Sequence, residues 1–408
     1  MTIAHPVTRG WVSTGGTGAQ NYDEFADEAE ITAIIEQNPA SALAIEMPHR
    51  TPEAVAAGRS FTDSLSDAAE RLRAAQEEGR YRLAEQSVMV YRISPPAADD
   101  SAPVAYGLFC MIDTDQISTS ADQPGMVIRN EDVFTEKVIE RARLAHATGH
   151  LLSPVLLLQT AKGDELQRAL RAAVDELGDP AVTDVDQQGR SHAVWPVGPS
   201  PLADELLALA GGGELIVADG NHRSLAAQTA GLRRFLAVVT TPESVSIQPY
   251  NRLVSELEVS VEEMFALLRA RGAKVAKLDG RPEVPEAGGT VHLYTDGVGY
   301  AVQLPTPAVS TVVDRLDHSV VEHVLLRKTL GLEPGDKRIT YVGGDYPASW
   351  LCDEVDAGRA ALAVLIAPVT VEDFVAVNLD RRKMPRKSTW FTPKARAGLV
   401  LADLSAEE

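Results

Sequence analysis

A chain of 408 residues is long enough for two domains, and its 45% hydrophobic content is that of an ordinary globular protein. The formal net charge of −20 repels nucleic-acid phosphates, which argues against DNA or RNA as a partner. The sequence predicts a cytoplasmic protein without a disulfide scaffold or a membrane partner, because it has two cysteines, no signal-peptide pattern and no apolar run of membrane-spanning length.

Apolar periodicity predicts alternating helices and strands along the first 160 residues. The run Gly15-Gly16-Thr17-Gly18 is similar to part of a phosphate loop. Its Lys-Ser/Thr ending is missing and no strand is predicted before it, which favours a flexible loop. Gly149 stands where a helix C-cap is expected. The predicted helices are 28–37, 64–78 and 135–148, the predicted strands are 41–47, 88–93, 104–112 and 153–159, and a polar loop occupies 98–103.

Residues 160–213 are predicted to form an insertion, and the pattern begins anew after about residue 255. We therefore predict a mixed α/β to α+β fold, with an N-terminal region at 1–254, whose core spans about 125–230, and a C-terminal α+β domain at 255–408. The predicted helices are 164–177, 201–209, 224–230, 260–271, 318–330, 345–357 and 370–380, and the strands are 192–197, 215–218, 235–240, 290–294, 299–303, 338–342 and 360–367.

The stretch 215–227 combines a short apolar strand, a polar turn and the start of a helix. Gly220 lets the backbone approach a ligand closely, and the first N–H groups of the helix are unpaired, which is typical of an anion site. Asp219, His222 and Arg223 add a carboxylate, an imidazole and a cation. The alternative is an ordinary β–α turn in which Asp219 caps the helix and Arg223 forms a surface ion pair.

Asn130-Glu131 is the best partner for this turn, because it ends an apolar stretch and a helix follows it. A carboxylate at Glu131 could act as a general base, and the alternative is a first-turn Glu that stabilises the helix dipole. Two histidine pairs could suggest a metal site, but a helix end separates the first pair and the second lies on different faces of a predicted helix. These pairs are His146 with His150 and His318 with His323.

Several motifs together resemble the ParB/sulfiredoxin fold, and more closely the free L-serine kinases of that fold and a bacterial family catalogued as a domain of unknown function. The family signature Asp-Gly-His-His-Arg corresponds to Asp219-Gly220-Asn221-His222-Arg223. A second motif, His-Glu-x-Thr with downstream Lys and Asp-Arg, corresponds to Asn130-Glu131, Lys137 and Glu140-Arg141. The other similar motifs are Tyr22-Asp23, Tyr91-Arg92, Asp186-x-x-Gly189-x-x-His192-x-x-Trp195, Pro249-x-Asn251-Arg252 and Met384-Pro385-x-Lys387-Ser388-Thr389.

The resemblance implies a nucleotide-dependent small-molecule kinase that uses ATP or ADP with Mg²⁺ and phosphorylates a hydroxyl of a small amino acid such as free L-serine. It implies catalytic roles for Glu131 as the base, for Asp219, which would bind Mg²⁺ or orient the acceptor, and for His222. Two further groups follow from the same resemblance. The phosphate-binding residues would be Gly220, Asn221, His222, Arg223 and Ser224, and supporting charge would come from Lys137, Arg141, Arg252 and Lys387.

The chain departs from the family where histidine is expected, because it has Asn130, Asn221 and Asn251 instead. Asparagine hydrogen-bonds like one imidazole tautomer, but it carries neither charge nor a transferable proton. Three functions therefore stay open: a kinase, a non-catalytic nucleotide-binding regulatory or scaffold protein, and a phosphatase or nucleotide hydrolase. Sulfiredoxin chemistry is argued against, because its Cys is replaced by Asn221. The partners expected are a nucleotide and a small acceptor, with a homodimer as one candidate assembly.

Overall fold

The computed structural model describes residues 2–25, 27–97, 103–118, 125–305 and 311–407, so most of the predicted loop at 98–103 lies outside the described residues. The chain divides into two compact units, one of Met1–Val245 with Pro393–Glu408 and the other of Ser246–Thr392. We call them the first and second unit. The predicted division into domains at residue 254 stays a prediction, and the units differ from it mainly because the chain returns to the first unit at its end.

The predicted mixed α/β to α+β class is confirmed, since helices and strands alternate through both units. Assignment of the core to the ParB/sulfiredoxin fold stays a prediction. The strands of the described residues are β1 (Ala4–His5), β2 (Val7–Ser13), β3 (Tyr81–Ser94), β4 (Ala105–Asp113), β5 (Val127–Ile128), β6 (His150–Leu151), β7 (Val155–Gln159), β8 (Val182–Val185), β9 (Ser191–Val197), β10 (Leu215–Asp219), β11 (Arg234–Thr240), β12 (Ser246–Gln248), β13 (Asn251–Val254), β14 (Lys274–Lys277), β15 (Thr290–Thr295), β16 (Val298–Gln303), β17 (Ile339–Val342), β18 (Leu362–Leu365), β19 (Trp390–Thr392) and β20 (Val400–Asp403).

The helices follow the apolar stripes of the sequence, and a π-helical stretch at Val321–Arg327 joins two short helices of the second unit. Within the described ranges, no helix has the length and apolar character needed to cross a bilayer. The helices are α1 (Glu28–Gln37), α2 (Leu43–Glu46), α3 (Pro52–Ala56), α4 (Leu65–Glu77), α5 (Thr135–Thr148), α6 (Gly163–Glu176), α7 (Pro201–Ala210), α8 (Asn221–Thr229), α9 (Val261–Ala270), α10 (Val312–Arg315), α11 (Asp317–Val320), α12 (Lys328–Leu330), α13 (Ala348–Asp356) and α14 (Val371–Leu379).

In the first unit, twelve strands of the described residues form one sheet with the order β5-β10-β7-β11-β4-β3-β2-β20-β6, to which β1, β8 and β9 are attached. β10 lies between β5, to which it is parallel, and β7, to which it is antiparallel. Its residues Leu215, Ile216 and Val217 are fully buried, so hydrophobic burial fixes the strand that leads into the polar turn. Helices α5 and α8 pack together through Val138, Ala142 and Ala226.

In the second unit, six strands of the described residues form an antiparallel sheet with the order β14-β16-β15-β18-β13-β17, and β12 pairs separately with β19. Helix α9 and the helical stretch from α11 to α12 cover an apolar core on this sheet, and α13 contributes to a second cluster. The predicted helix at 318–330 is thus confirmed in extent, although its middle turn is π-helical rather than α-helical.

Two local predictions were wrong. The stretch 41–47 is not a strand, because it contains the short helix α2, and each residue of that run is buried, so its apolar sequence fits a buried helix as well as a strand. The run Gly15–Gly18 does follow a strand, β2, which pairs with β3 and β20. Thr17 is fully buried and its hydroxyl lies 2.7 Å from the Gly398 carbonyl oxygen, so the run is held in place rather than left as a flexible loop.

Candidate functional site

The polar turn after β10 is a helix start. Gly220 has a φ of 95°, and α8 begins at Asn221, three residues before the predicted helix at 224–230. A Cβ at Gly220 would lie 3.1 Å from the guanidinium carbon of Arg223 and 3.3 Å from the Cα of Val155, so the position requires glycine for both conformation and space. Asn221, His222 and Arg223 therefore form the first helical turn.

The beginning of α8 has the features of an anion site. Its N-cap is Gly220, which has no side chain to accept a hydrogen bond from the first N–H groups, where the positive end of the helix dipole lies. The alternative of an ordinary turn is wrong in both its parts, because Asp219 does not cap the helix and Arg223 is buried. Ser224 is also buried, and its hydroxyl donates to the Asn221 carbonyl oxygen at 3.0 Å.

The Asp219 carboxylate accepts hydrogen bonds from two cations. The guanidinium of Arg223 donates to one carboxylate oxygen, and the ammonium of Lys394 donates to the other at 2.8 Å. Burial alone raises the pKa of the Asp219 carboxyl, but Lys394 and Arg223 outweigh burial and hold that pKa below its ordinary value. The carboxylate is therefore ionised and fixed, which suits an orienting group better than a proton acceptor. A Mg²⁺ ion bound at Asp219 would have to share the carboxylate with these cations or displace one of them.

Arg223 ties the turn to the N-terminal residues of the unit. Its Nη1 donates to Asn21 Oδ1 at 3.0 Å and to the Pro154 carbonyl oxygen, and Asp23 lies 4.0 Å from its Nη2. Burial lowers the pKa of Arg223, but Asp219 and Asp23 more than reverse that effect, so the net shift is upward. The guanidinium is thus a permanent cation whose main partners come from three separate stretches of chain.

Hydrogen bonds join the Asn130-Glu131 segment to the same turn. The backbone N–H of Asn130 donates to Asn221 Oδ1 at 3.2 Å, and Asn221 Nδ2 donates to Asn130 Oδ1 at 2.5 Å. The backbone N–H of Phe134 donates to His222 Nε2 at 3.1 Å, and the two rings stack with centroids 6.0 Å apart. His222 Nε2 is therefore an unprotonated acceptor, which places the imidazole proton on Nδ1.

Glu131 lies ahead of α5, which begins at Thr135 with Phe134 at its N-cap. Glu131 is therefore not a residue of the first helical turn, as its alternative assignment expected. The side chain is half-buried. Lys137 lies in the first turn of α5 and is exposed. The predicted functional roles of Glu131 and Lys137 stay predictions.

Arg141 belongs to a buried group behind the turn. Its Nη1 donates to the Glu46 carbonyl oxygen at 2.8 Å, and its guanidinium carbon lies 4.1 Å from the centroid of the Tyr22 ring. Burial raises the pKa of the Glu46 carboxyl, to which Ser153 donates a hydrogen bond of 2.5 Å. A cavity of about 50 Å³ adjoins Glu46, Arg141 and Arg223 and is mostly apolar. It has room for a few water molecules but not for a nucleotide.

Arg252 and Lys387 lie in the second unit, where they contact each other. Arg252 is fully buried, and its guanidinium donates to the Lys387 carbonyl oxygen at 2.9 Å and to Glu322 at 3.2 Å. Asn251 Oδ1 accepts from the Ile366 N–H at 3.0 Å. These contacts anchor the segment around Lys387 within its own unit, and the supporting-charge role expected for both cations stays a prediction.

The histidine pairs have no metal-like arrangement. His318 is fully buried and its Nε2 lies 3.1 Å from the Tyr250 carbonyl oxygen, so the ring is a neutral donor. The described residues contain no group of three or more His, Cys, Asp or Glu side chains placed to hold a metal ion. Gly149 has a φ of 65° and ends α5 between His146 and His150, as predicted.

Two contributors were missed by the reasoning from sequence. Lys394 belongs to none of the motifs named from the sequence, although its ammonium donates to Asp219 at 2.8 Å. Asn21 accepts from Arg223 and donates to Glu24 Oε1 at 2.6 Å and to the Ala395 carbonyl oxygen at 3.2 Å. The available signal was its position just before Tyr22-Asp23, one of the motifs similar to the family pattern.

Comparison with known proteins gives one family and several solved structures. The profile of the family described as "Protein of unknown function (DUF1015)" matches residues 17–319. No curated protein matches the sequence significantly.

The similar structures are of low sequence identity. They include a free serine kinase mutant in complex with AMP, at 12% identity and a TM-score of 0.39, over 70% of this chain and 87% of that one. A conserved hypothetical protein from Pyrococcus furiosus has 13% identity and a TM-score of 0.37, over 70% and 90%. C-terminally truncated SbnI from Staphylococcus aureus has 13% identity and a TM-score of 0.36, over 71% and 84%.

Proposed function

The chain belongs to the DUF1015 family, and on that premise we propose that it is a nucleotide-dependent kinase of small molecules. It binds ATP or ADP at the N-terminus of α8 and phosphorylates the hydroxyl of a small amino acid such as L-serine. One observation carries the proposal: a glycine-led, uncapped helix start is hydrogen-bonded to the segment that bears Glu131. We propose L-serine as an acceptor, and a ParB/sulfiredoxin-like core, because several motifs of this chain resemble those of free L-serine kinases.

Phosphate binding follows from the helix start. The backbone N–H groups at a helix start and the positive end of the helix dipole attract a phosphate. Arg223 is already engaged by Asp219, Asn21 and Pro154. Its role in the proposal is therefore to fix Asp219 and to hold positive charge beside the phosphate, while the backbone of 220–224 makes the direct contacts.

Glu131 supplies the base. The acceptor hydroxyl oxygen bonds to the terminal phosphorus, the bond from that phosphorus to the leaving phosphate oxygen breaks, and the hydroxyl proton passes to the Glu131 carboxylate. Hydrogen bonds at Asn130 and Phe134 hold the Glu131 segment against the turn on both sides, which favours alignment of the reacting groups. Mg²⁺, when bound, neutralises phosphate charge, and Asp219 is the residue in the turn that would hold it or orient the acceptor.

Mass spectrometry of phosphorylated products tests this proposal. The protein is incubated with ATP or ADP, Mg²⁺ and a panel of amino acids that includes L-serine. We expect one amino acid to gain a phosphoryl group and Glu131→Gln to slow that transfer by about 10²-fold or more while nucleotide affinity stays within a few-fold. Glu136→Gln, an exposed carboxylate in the first turn of α5, is the matched control and should leave the rate unchanged.

A nucleotide-binding protein without turnover is the second candidate, and the Asn130–Asn221 pair favours it. Each side-chain amide bonds to the other residue, and neither amide can accept or release a proton during a reaction. Nucleotide binding with no modified acceptor, and no effect of Glu131→Gln, would support this candidate and contradict the kinase. Release of inorganic phosphate without an acceptor would instead indicate a phosphatase or nucleotide hydrolase.

A further inference from the structure

A buried chain of hydrogen bonds lies outside the proposed nucleotide site, in the first unit. The Tyr91 hydroxyl is 2.5 Å from His192 Nδ1, and His192 Nε2 is 3.0 Å from Asp186 Oδ2. The backbone N–H of Arg396 donates to the Tyr91 oxygen at 3.4 Å. Tyr91, His192 and Asp186 are at most 7% exposed. Such a chain is costly to bury unless each group is satisfied, so it has a structural or functional task.

The donor and the acceptor of each of these hydrogen bonds can be assigned. Asp186 is an acceptor, since it also receives the Arg190 guanidinium at 2.7 Å and the backbone N–H of Gln188 at 3.0 Å. His192 Nε2 must then carry the proton, so Nδ1 accepts from the Tyr91 hydroxyl. The Tyr91 oxygen is left to accept from the Arg396 N–H. The chain thus ends on the backbone of residue 396.

This backbone belongs to the segment 393–398, which we call the terminal segment. Its Arg396 side chain lies 2.7 Å from the Asp184 carboxylate on β8, and Ala397 exchanges two backbone hydrogen bonds of 3.0 Å with Ala19. Lys394 stands two residues before Arg396, and its ammonium is on Asp219. The terminal segment is therefore held by contacts with β3, with the β8–β9 hairpin and with Ala19. It places the Lys394 ammonium at the polar turn.

We propose that Lys394 is a phosphate-binding residue of the nucleotide site and that Tyr91, His192 and Asp186 are positioning residues, which hold the terminal segment so that the Lys394 ammonium stays at Asp219. The phosphate part rests on the proposed function. Asp219 is the last residue of β10, one residue before the uncapped start of α8. A phosphate bound at the N-terminus of α8 would lie within reach of the long Lys394 side chain. The Lys394 ammonium would then bind this phosphate, while Arg223 stays hydrogen-bonded to the other carboxylate oxygen of Asp219.

The positioning role is tested without nucleotide by the rate of reductive methylation of Lys394, followed by mass spectrometry. The Lys394 side chain is 11% exposed and should be protected in the wild type. Tyr91→Phe removes the hydroxyl that links Arg396 to His192, and we expect Lys394 to react about fivefold faster or more. Tyr294→Phe loses a hydrogen bond of 2.9 Å to Asp356 in the second unit and should change nothing at Lys394. Equal rates in the wild type and Tyr91→Phe overturn the positioning role.

The phosphate role is tested by the dissociation constant of ADP with Mg²⁺. We expect Lys394→Met to bind about tenfold more weakly, Lys394→Arg to retain affinity within about threefold, and Tyr91→Phe to bind about fivefold more weakly. If Tyr91 acts through Lys394, the double variant binds no more weakly than Lys394→Met alone. Additive effects, or unchanged affinity in Lys394→Met, contradict the phosphate role. A wild type that binds no ADP overturns the proposed function, while the methylation rates still decide the positioning role.

Discussion

Gly220→Ala is a direct test of how the site is built, because the structure gives two separate reasons for glycine there. The φ of 95° costs an alanine about 1–2 kcal/mol. Its Cβ would also press on the Arg223 guanidinium at 3.1 Å and on the Val155 backbone at 3.3 Å, which adds about 1 kcal/mol of overpacking. We therefore expect the first unit to lose about 2–3 kcal/mol of unfolding free energy.

Gly231→Ala provides the matched control. Gly231 follows the same helix with a φ of 68°, and nothing lies within 4 Å of a Cβ built there, so it should lose the conformational part alone, about 1 kcal/mol. Because the chain has two units, the measurement is hydrogen exchange of peptides from 215–229 as a function of urea, read by mass spectrometry. Equal losses in the two variants would refute the idea that Arg223 and Val155 close the space above Gly220.

Three further outcomes follow from the buried charges and amides. Asp219→Asn should lower the free energy of unfolding of the first unit by about 3–5 kcal/mol at pH 7, since Arg223 and Lys394 lose their shared carboxylate. Because the pKa of Asp219 is lowered in the folded state, the wild type loses this stability as the pH falls below about 4. Urea denaturation at two pH values checks both statements. Burial, and to a smaller extent Arg252, lower the pKa of His318 to about 3. The second unit should therefore lose about 2 kcal/mol of unfolding free energy between pH 6.5 and pH 5, because the unfolded state takes up the proton and the folded state does not. His318→Gln should lack this loss in parallel denaturation experiments. Asn221→His should destabilise the first unit by about 1–2 kcal/mol because it breaks the amide pair, and Asn130→His in the same chain should recover part of that loss in a thermal melt, whereas an additive further loss would contradict a coupled pair.

Local patterns predicted the helices best where packing and end signals agree. Helix α5 has its predicted bounds because Val138, Ala142 and Ala145 form one buried stripe and Gly149 supplies the left-handed C-cap. Helix α8 begins earlier than predicted. Its first residues are polar and have the composition of a turn, but the positive φ of Gly220 already redirects the chain into a helix. The stretch 41–47 failed for another reason, since burial on all sides leaves no periodicity that distinguishes helix from strand.

The candidate site was predictable in its centre and not in its surroundings. The turn at 219–223 and its contact with Asn130 follow from motifs whose spacing is local or similar to a family pattern. The partners that set the charge of the turn are far away in sequence: Lys394 is 175 positions from Asp219, and Asn21 is 202 positions from Arg223. Periodicity and propensity report on neighbours in the chain, so they do not predict contacts of this kind.

Asn130 and Asn221 join the Glu131 segment to the polar turn. They bond to each other, and neither side-chain amide can accept or release a proton during a reaction. His222 uses Nε2 to accept from the Phe134 N–H, so protonation at that atom would break the contact that holds the Glu131 segment. Asp219 is ionised but neutralised by Lys394 and Arg223. Of the three catalytic residues that the resemblance implies, Glu131 is the one we propose as the proton acceptor, and Glu131→Gln separates a kinase from a protein that only binds nucleotide.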